Sequence, residues 1–196
     1  MAPRYAPAVP LPPAGYVPGH DLPHPVNDRT GHLHASRGLL DEPQITRAGL
    51  PTDSASRRHA LAALLIADAR WRHAVDLFNA GFAWEAHEAW EGFWHALGRT
   101  TPEARFVQGL IHLAAAVVKI REGKPAGVAR HARRGRELLG NLGAPCGDTL
   151  GIAPESLAAV VVELEGYTPA CWHTSRAPVV RTLDATLRLM EERPRP

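Results

Sequence analysis

The chain has 196 residues, a formal charge of +2 at pH 7 and a hydrophobic fraction of 45%, which suits one domain plus a tail and is too short for two ordinary domains. So small a net charge is no argument for nucleic acid, and the eleven histidines say more because imidazoles titrate or bind metal near neutral pH. No apolar run is long enough for a membrane span, and Pro3, Pro7, Pro10, Pro12 and Pro13 interrupt the stretch a signal peptide would need, so the protein is expected to stay in the cytoplasm.

Residues 1–51 are rich in proline and show neither the helical nor the strand period, so they read as an extended or disordered leader. The Gly31-His32-Leu33-His34 mix leaves open a course across the folded domain instead. The helical domain is placed at 52–192. Thr52-Asp53-Ser54 offers capping oxygens, after which Leu61, Leu64, Leu65, Trp71, Val75 and Phe78 recur at three- and four-residue spacing, predicting one long amphipathic helix. Asn79-Ala80-Gly81 ends it. A second helix is predicted from Phe82 to Leu97, closed by Gly98. Thr101-Pro102-Glu103 supplies cap, first-turn proline and acid for a third, reaching about Glu122 before Gly123. A basic fourth helix spans Pro125 to Leu139, and Pro154 to Glu165 forms a shorter one with Leu157, Val160, Val161 and Leu164 inward. Val179 to Glu192 reads as a last helix whose β-branched start leaves room for an extended piece. With no pair of strands joined by a turn, the fold class is all-α: a single multi-helix bundle of about five to six helices behind the leader. Cys146 and Cys171 lack metal-site spacing and are expected to be reduced structural thiols, unless the two come close enough to pair.

The chemistry centres on His87-Glu88-Ala89-Trp90-Glu91. At about 100° per residue, His87, Glu91, Trp84 and Trp94 share one face of the second helix, which Trp90 widens. Glu85, Ala89, Gly92 and Ala96 fall on the far side and are expected to meet water, while Glu88 and His95 lie on the flank. A buried carboxylate needs a cation, a proton or a metal, and His87, one turn from Glu91, can share an ion with it. On the third helix Gln108, His112 and Lys119 form a polar stripe opposite Phe106, Leu110, Leu113 and Val117, and so border either solvent or the site. The competing reading of His87 and Glu91 is a structural hydrogen-bond pair between helices, and that of the tryptophans is plain core.

Several segments carry a resemblance: Phe78-Asn79-Ala80-Gly81, Trp84-Glu85-Ala86-His87-Glu88, Glu91 with Trp94, Phe106-Val107-Gln108-Gly109-Leu110-Ile111, Leu113-Ala114-Ala115, and Arg121-Glu122-Gly123-Lys124 before Gly127. From about residue 74 to 139 the chain resembles the bacterial and archaeal domain-of-unknown-function family numbered 309. That family's mark is His, three residues, Glu, two residues, then Trp or Tyr, matched by His87, Glu91 and Trp94. The resemblance implies a small helical bundle with metal binding and brings no established reaction. Val118 departs from the longer polar residue usual in the family.

Three functions are compatible with these residues. In the first, a divalent metal (zinc, manganese or iron) is held by His87 and Glu91 with His112 or His95 completing the set; Glu88 acts as base toward water, Trp84, Trp94, Gln108 and Lys119 line the site, and an unidentified small molecule is hydrolysed. In the second, Lys119, Arg121, Lys124, Arg130, Arg133, Arg134 and Arg136, set against Glu122 alone, bind phosphate or a nucleic-acid backbone, unless they pair with the acidic second helix. In the third, the bundle is structural or regulatory, with Gly109, Ala114, Ala115 and Ala116 permitting close helix approach within or between chains.

Overall fold

A computed structural model of the chain describes residues 4–20, 50–140, 149–169 and 175–190. Cys146, Cys171 and the Gly31-His32-Leu33-His34 segment lie outside them. The described residues form six helices: α1 (Ser54–Ala67), α2 (Ala69–Ala80), α3 (Ala83–Ala96), α4 (Pro102–Arg121), α5 (Pro125–Leu139) and α6 (Pro154–Glu165). Among the described residues, β structure is limited to a bridge between Ile152 and Leu189. The chain is therefore an all-α bundle, and none of these helices is long and apolar enough to cross a membrane.

The capping signals act as expected. Asp53 accepts the Ser56 N–H at 2.8 Å and Thr101 Oγ1 accepts the Ala104 N–H at 3.1 Å, so both helices begin with a side chain satisfying an otherwise orphaned donor. The long first helix is a correction: it is two helices, because Asp68 adopts an extended conformation (φ −74°, ψ 121°) that ends α1 and caps α2. Its carboxylate accepts from the Arg70 N–H and guanidinium, the local competition with helical bonding that makes aspartate a poor helix interior residue.

The core is built around α4, which buries residues on most of its circumference, from Ala104 and Phe106 to Val118 and Ile120. Trp71 of α2 meets Phe93 of α3 edge-to-face at 5.1 Å, and Phe78 tilts against Trp90 at 5.7 Å; each such ring pair adds on the order of 1 kcal/mol beyond area burial. Helices α4 and α5 approach through glycines. A Cβ on Gly109 would stand 2.7 Å from Leu139 Cγ, and one on Gly135 would stand 3.2 Å from the Gly109 carbonyl oxygen. Gly109, Ala114 and Ala116 are buried against the chain itself, so this small-residue seam serves the monomer.

The C-terminal stretch is a second correction. Residues 179–190 do not form a helix; they are irregular apart from the bridge residue Leu189, with Leu183, Leu187 and Leu189 buried. Side chains of the bundle replace the helical hydrogen bonds. Asn79 pairs with both backbone groups of Leu187 at 2.8 Å, and the Glu163 carboxylate accepts the N–H groups of Asp184 and Ala185. Gly81 lies under this strap in the left-handed region (φ 94°), where an added Cβ would meet the Val180 oxygen at 2.7 Å. Gly81→Ala is expected to cost about 2–3 kcal/mol, from the disallowed φ and a clash with backbone that cannot rotate away. A urea midpoint unchanged from wild type would contradict this.

Residues 4–20 also lie across the domain. The buried Asp76 carboxylate accepts the Tyr5 and Ala6 N–H groups at 2.8 Å each, the Glu85 carboxylate accepts the Tyr16 N–H at 2.8 Å, and Ala6 and Val17 are buried. This part of the leader has neither helix nor strand; it turns at Ala6–Val9 and Val17–His20 and is held largely by side chains of the domain.

Candidate metal centre

Helix α3 carries the polar centre, but its inward face is rotated from the expected one. Ala83, Ala86, Trp90 and Phe93 form the buried stripe, so His87, Glu88, Glu91, Trp84 and Trp94 stand half-buried on the rim. Two bulky rings with small residues beside them set the core face, because Trp90 and Phe93 fill the space against α2 while Ala83 and Ala86 admit the neighbours. The expectation for Glu85 is corrected outright: it is fully buried rather than facing water, since the leader covers it and donates from Tyr16. His87 and Glu88 each keep 22% side-chain exposure, enough for a water or ligand to reach them.

The rim gathers three donors. Ligand atoms of His87, Glu88 and Glu91 all lie within 4.8 Å of one another. His87 Nδ1 is 3.5 Å from Glu88 Oε1. Donors bound to one ion at about 2.0–2.2 Å are at most about 4.4 Å apart, so modest rotation of these side chains closes the set. Trp84 stacks on His87 (5.8 Å, 15°) and receives Tyr16 edge-on at 5.0 Å, so a leader residue buttresses the ring that orients the imidazole. Trp94 instead packs at the α3–α4 turn: its indole N–H donates to the Arg99 carbonyl at 3.1 Å and its face carries the Arg99 guanidinium at 5.4 Å. His95 lies beside it, with ring centroids 5.2 Å apart.

The α4 stripe is partly open, as its polar residues suggested. Gln108, His112 and Lys119 are half-buried on an otherwise buried helix. Lys119 donates to Glu122 at 2.6 Å, and Lys124 reaches the same carboxylate at 2.5 Å. Burial raises the Glu122 pKa, but the hydrogen bonds from the two lysines outweigh it and hold the acid below its ordinary range. Val118, about 100° round the helix from this stripe, belongs to the core.

His112 does not join the His87–Glu88–Glu91 group. Its Nδ1 lies 2.9 Å from Nδ1 of His131 on α5. His131 was not singled out from the sequence, where it is one cation-flanked residue of a basic helix. A signal existed, since His112 and His131 each lie one turn from the glycines through which the two helices touch. Burial, then the charges of His131, Arg134, His87 and Arg130, push His112 down to about 4; burial and Arg130 lower His131 as well. The unfolded chain binds this proton first, near the ordinary value of 6.5. The contribution of neutral His112 to stability is therefore fully present above about 6.5 and declines as the pH falls toward 4. A His112 ring resonance in metal-free protein titrating with a midpoint near 6.5 would contradict this.

The fold and the rim group define a class, a helical bundle presenting one imidazole and two carboxylates from a single helix. Residues 71–131 match the sequence model of the family described as a domain of unknown function (DUF309). The match spans α2 to the first half of α5 and includes His87, Glu88, Glu91, His112 and His131. No curated protein and no solved structure matches the chain.

Proposed function

We propose that the chain holds one divalent transition-metal ion on the rim of α3, through His87 and Glu91, and that it is a hydrolase in which Glu88 is the base. The observation that carries this reading is the convergence of the three donors within 4.8 Å at a half-open position. An imidazole with carboxylates suits zinc, manganese or iron, and when bound such an ion polarises water for attack. Glu91, one turn from His87, completes the chelate from the same helix. Glu88 follows His87 in the chain with its carboxylate beside the imidazole, where it can accept a proton from an attacking water.

The roles separate by experiment. Glu88→Gln is expected to retain metal and lose hydrolysis of aryl ester and aryl phosphate probes. If Glu88→Gln loses metal as fully as His87→Ala, Glu88 is a ligand and the hydrolytic assignment falls.

A binding module using the basic α5 is the second reading, favoured by the exposure of Arg130 and Arg133. It is weaker because much of that charge is already engaged: Arg133 and Arg134 pair with Glu137 at 3.9 and 3.0 Å, and Arg136 with Glu165 at 2.7 Å. These partners lie on α5 and α6 rather than on the acidic α3. A steep loss of affinity for short DNA or RNA with added salt would support this reading, and flat affinity would count against it.

A further inference from the structure

We propose that His112 and His131 form a bis-imidazole site for one divalent transition-metal ion, held through both Nδ1 atoms and separate from the His87–Glu88–Glu91 group. The argument starts from the distance. Two nitrogens bonded to one ion at about 2.0–2.1 Å stand about 2.9 Å apart at a right angle and about 3.3 Å apart at the tetrahedral angle. The Nδ1 atoms are 2.9 Å apart, with the rings inclined at 37° and their centroids 5.2 Å apart. A linear two-coordinate ion does not fit that spacing; a four- or six-coordinate ion with water in its remaining positions does.

The backbone makes this spacing a property of the fold rather than of two mobile side chains. Gly109 and Gly135 bring α4 and α5 together, and each histidine projects one turn from that contact, so the helices cannot separate without opening the buried seam of Leu113 and Leu139. The depressed basicity of both rings keeps them neutral at neutral pH, and in the Nε2–H tautomer each presents its lone pair at Nδ1, so an ion displaces no proton from a charged imidazole.

Charge around the pair narrows the choice of ion. Arg130, Arg134 and the His87 imidazole lie near, as does Lys119, which Glu122 engages; Arg134 is in turn engaged by Glu137. A site with neutral nitrogen donors and cations nearby disfavours magnesium and calcium, which need carboxylate oxygens, and suits zinc, nickel or copper(II), which bind imidazole strongly.

The test is zinc titration of chelator-stripped, tag-free full-length protein carrying ¹³C-labelled histidine. The His112 and His131 rings, identified from His112→Gln and His131→Gln, are expected to shift together, saturate at the same zinc concentration, and show the ring-carbon pattern of Nδ1 coordination. His131→Gln is expected to weaken the His112 response by about tenfold or more, the loss of one of two donors. His87→Gln is expected to leave the joint response of the two rings in place, which separates this site from the rim group. The proposal is overturned if neither ring responds, as a pair merely sharing a proton would behave. It is equally overturned if His112 responds alone and undiminished in His131→Gln, or if His87→Gln abolishes the response. The wild-type spectrum decides the first point even if a variant fails to fold.

Discussion

His87→Ala is expected to remove the metal affinity of the α3 rim, and Glu91→Gln to weaken it by about ten- to a hundredfold. The asymmetry follows from what each change removes. Alanine at 87 deletes the nitrogen donor, leaving only carboxylates on the rim. It also removes the ring stacked on Trp84, so the orientation of the group is lost with the ligand. Glutamine at 91 keeps shape and an oxygen donor but loses the negative charge that a dication needs. His87 is half-exposed, and its loss opens no cavity in the core, so the folded state should survive with a melting temperature close to wild type. Calorimetric titration of both variants with zinc, manganese and ferrous iron checks the order. Equal affinity of wild type and His87→Ala would show that the imidazole is not a ligand.

Deleting residues 1–20 is expected to destabilise the domain by on the order of 3–5 kcal/mol, through three backbone hydrogen bonds to buried carboxylates, each worth about 1–3 kcal/mol before solvent replaces part of them. Asp76 loses the Tyr5 and Ala6 donors, and Glu85 loses Tyr16. Arg4, 3.6 Å from Asp76, goes with them, as does the Tyr5 hydroxyl that accepts from the Leu189 N–H and ties leader to C-terminal strap. The loss would be a large share of the stability of a domain this size. Because Tyr16 also braces Trp84 behind His87, the truncated chain should bind metal at the rim more weakly as well. Urea denaturation of the 21–196 fragment against the full chain tests the docking. Coincident curves would mean that the leader adds nothing to the fold.

The helices were legible because their punctuation is chemical and local. Thr101-Pro102 and Asp53 mark starts, Gly81, Gly98 and Gly123 occupy left-handed turns, and the apolar period of α4 identifies the central helix. What escaped the sequence depends on partners distant along the chain. The apolar period of its neighbours runs straight across Asp68, yet the Asp68 carboxylate draws the backbone out of the helix. Val179 to Glu192 read as a last helix with room for an extended piece, but Asn79 and Glu163 claim backbone groups of Asp184, Ala185 and Leu187 that a helix would use. The rim group was legible as a set, since His87 and Glu91 are one turn apart on one helix. Its depth was not: an angular reading weights tryptophans equally, whereas Trp90 is buried and Trp84 and Trp94 lie at the edge. His131 was hidden because only the glycine contact between α4 and α5, invisible in either helix alone, sets it against His112.

The most direct test is a metal count on tag-free His131→Gln protein, in which the α4–α5 pair is disabled and the α3 rim is intact. After incubation with zinc, manganese or ferrous iron and removal of the excess, the chain should retain one equivalent, and the same chain also carrying His87→Ala should retain none. A chain that stays empty with all three ions, or a count that His87→Ala does not change, would contradict a metal centre built on His87 and Glu91.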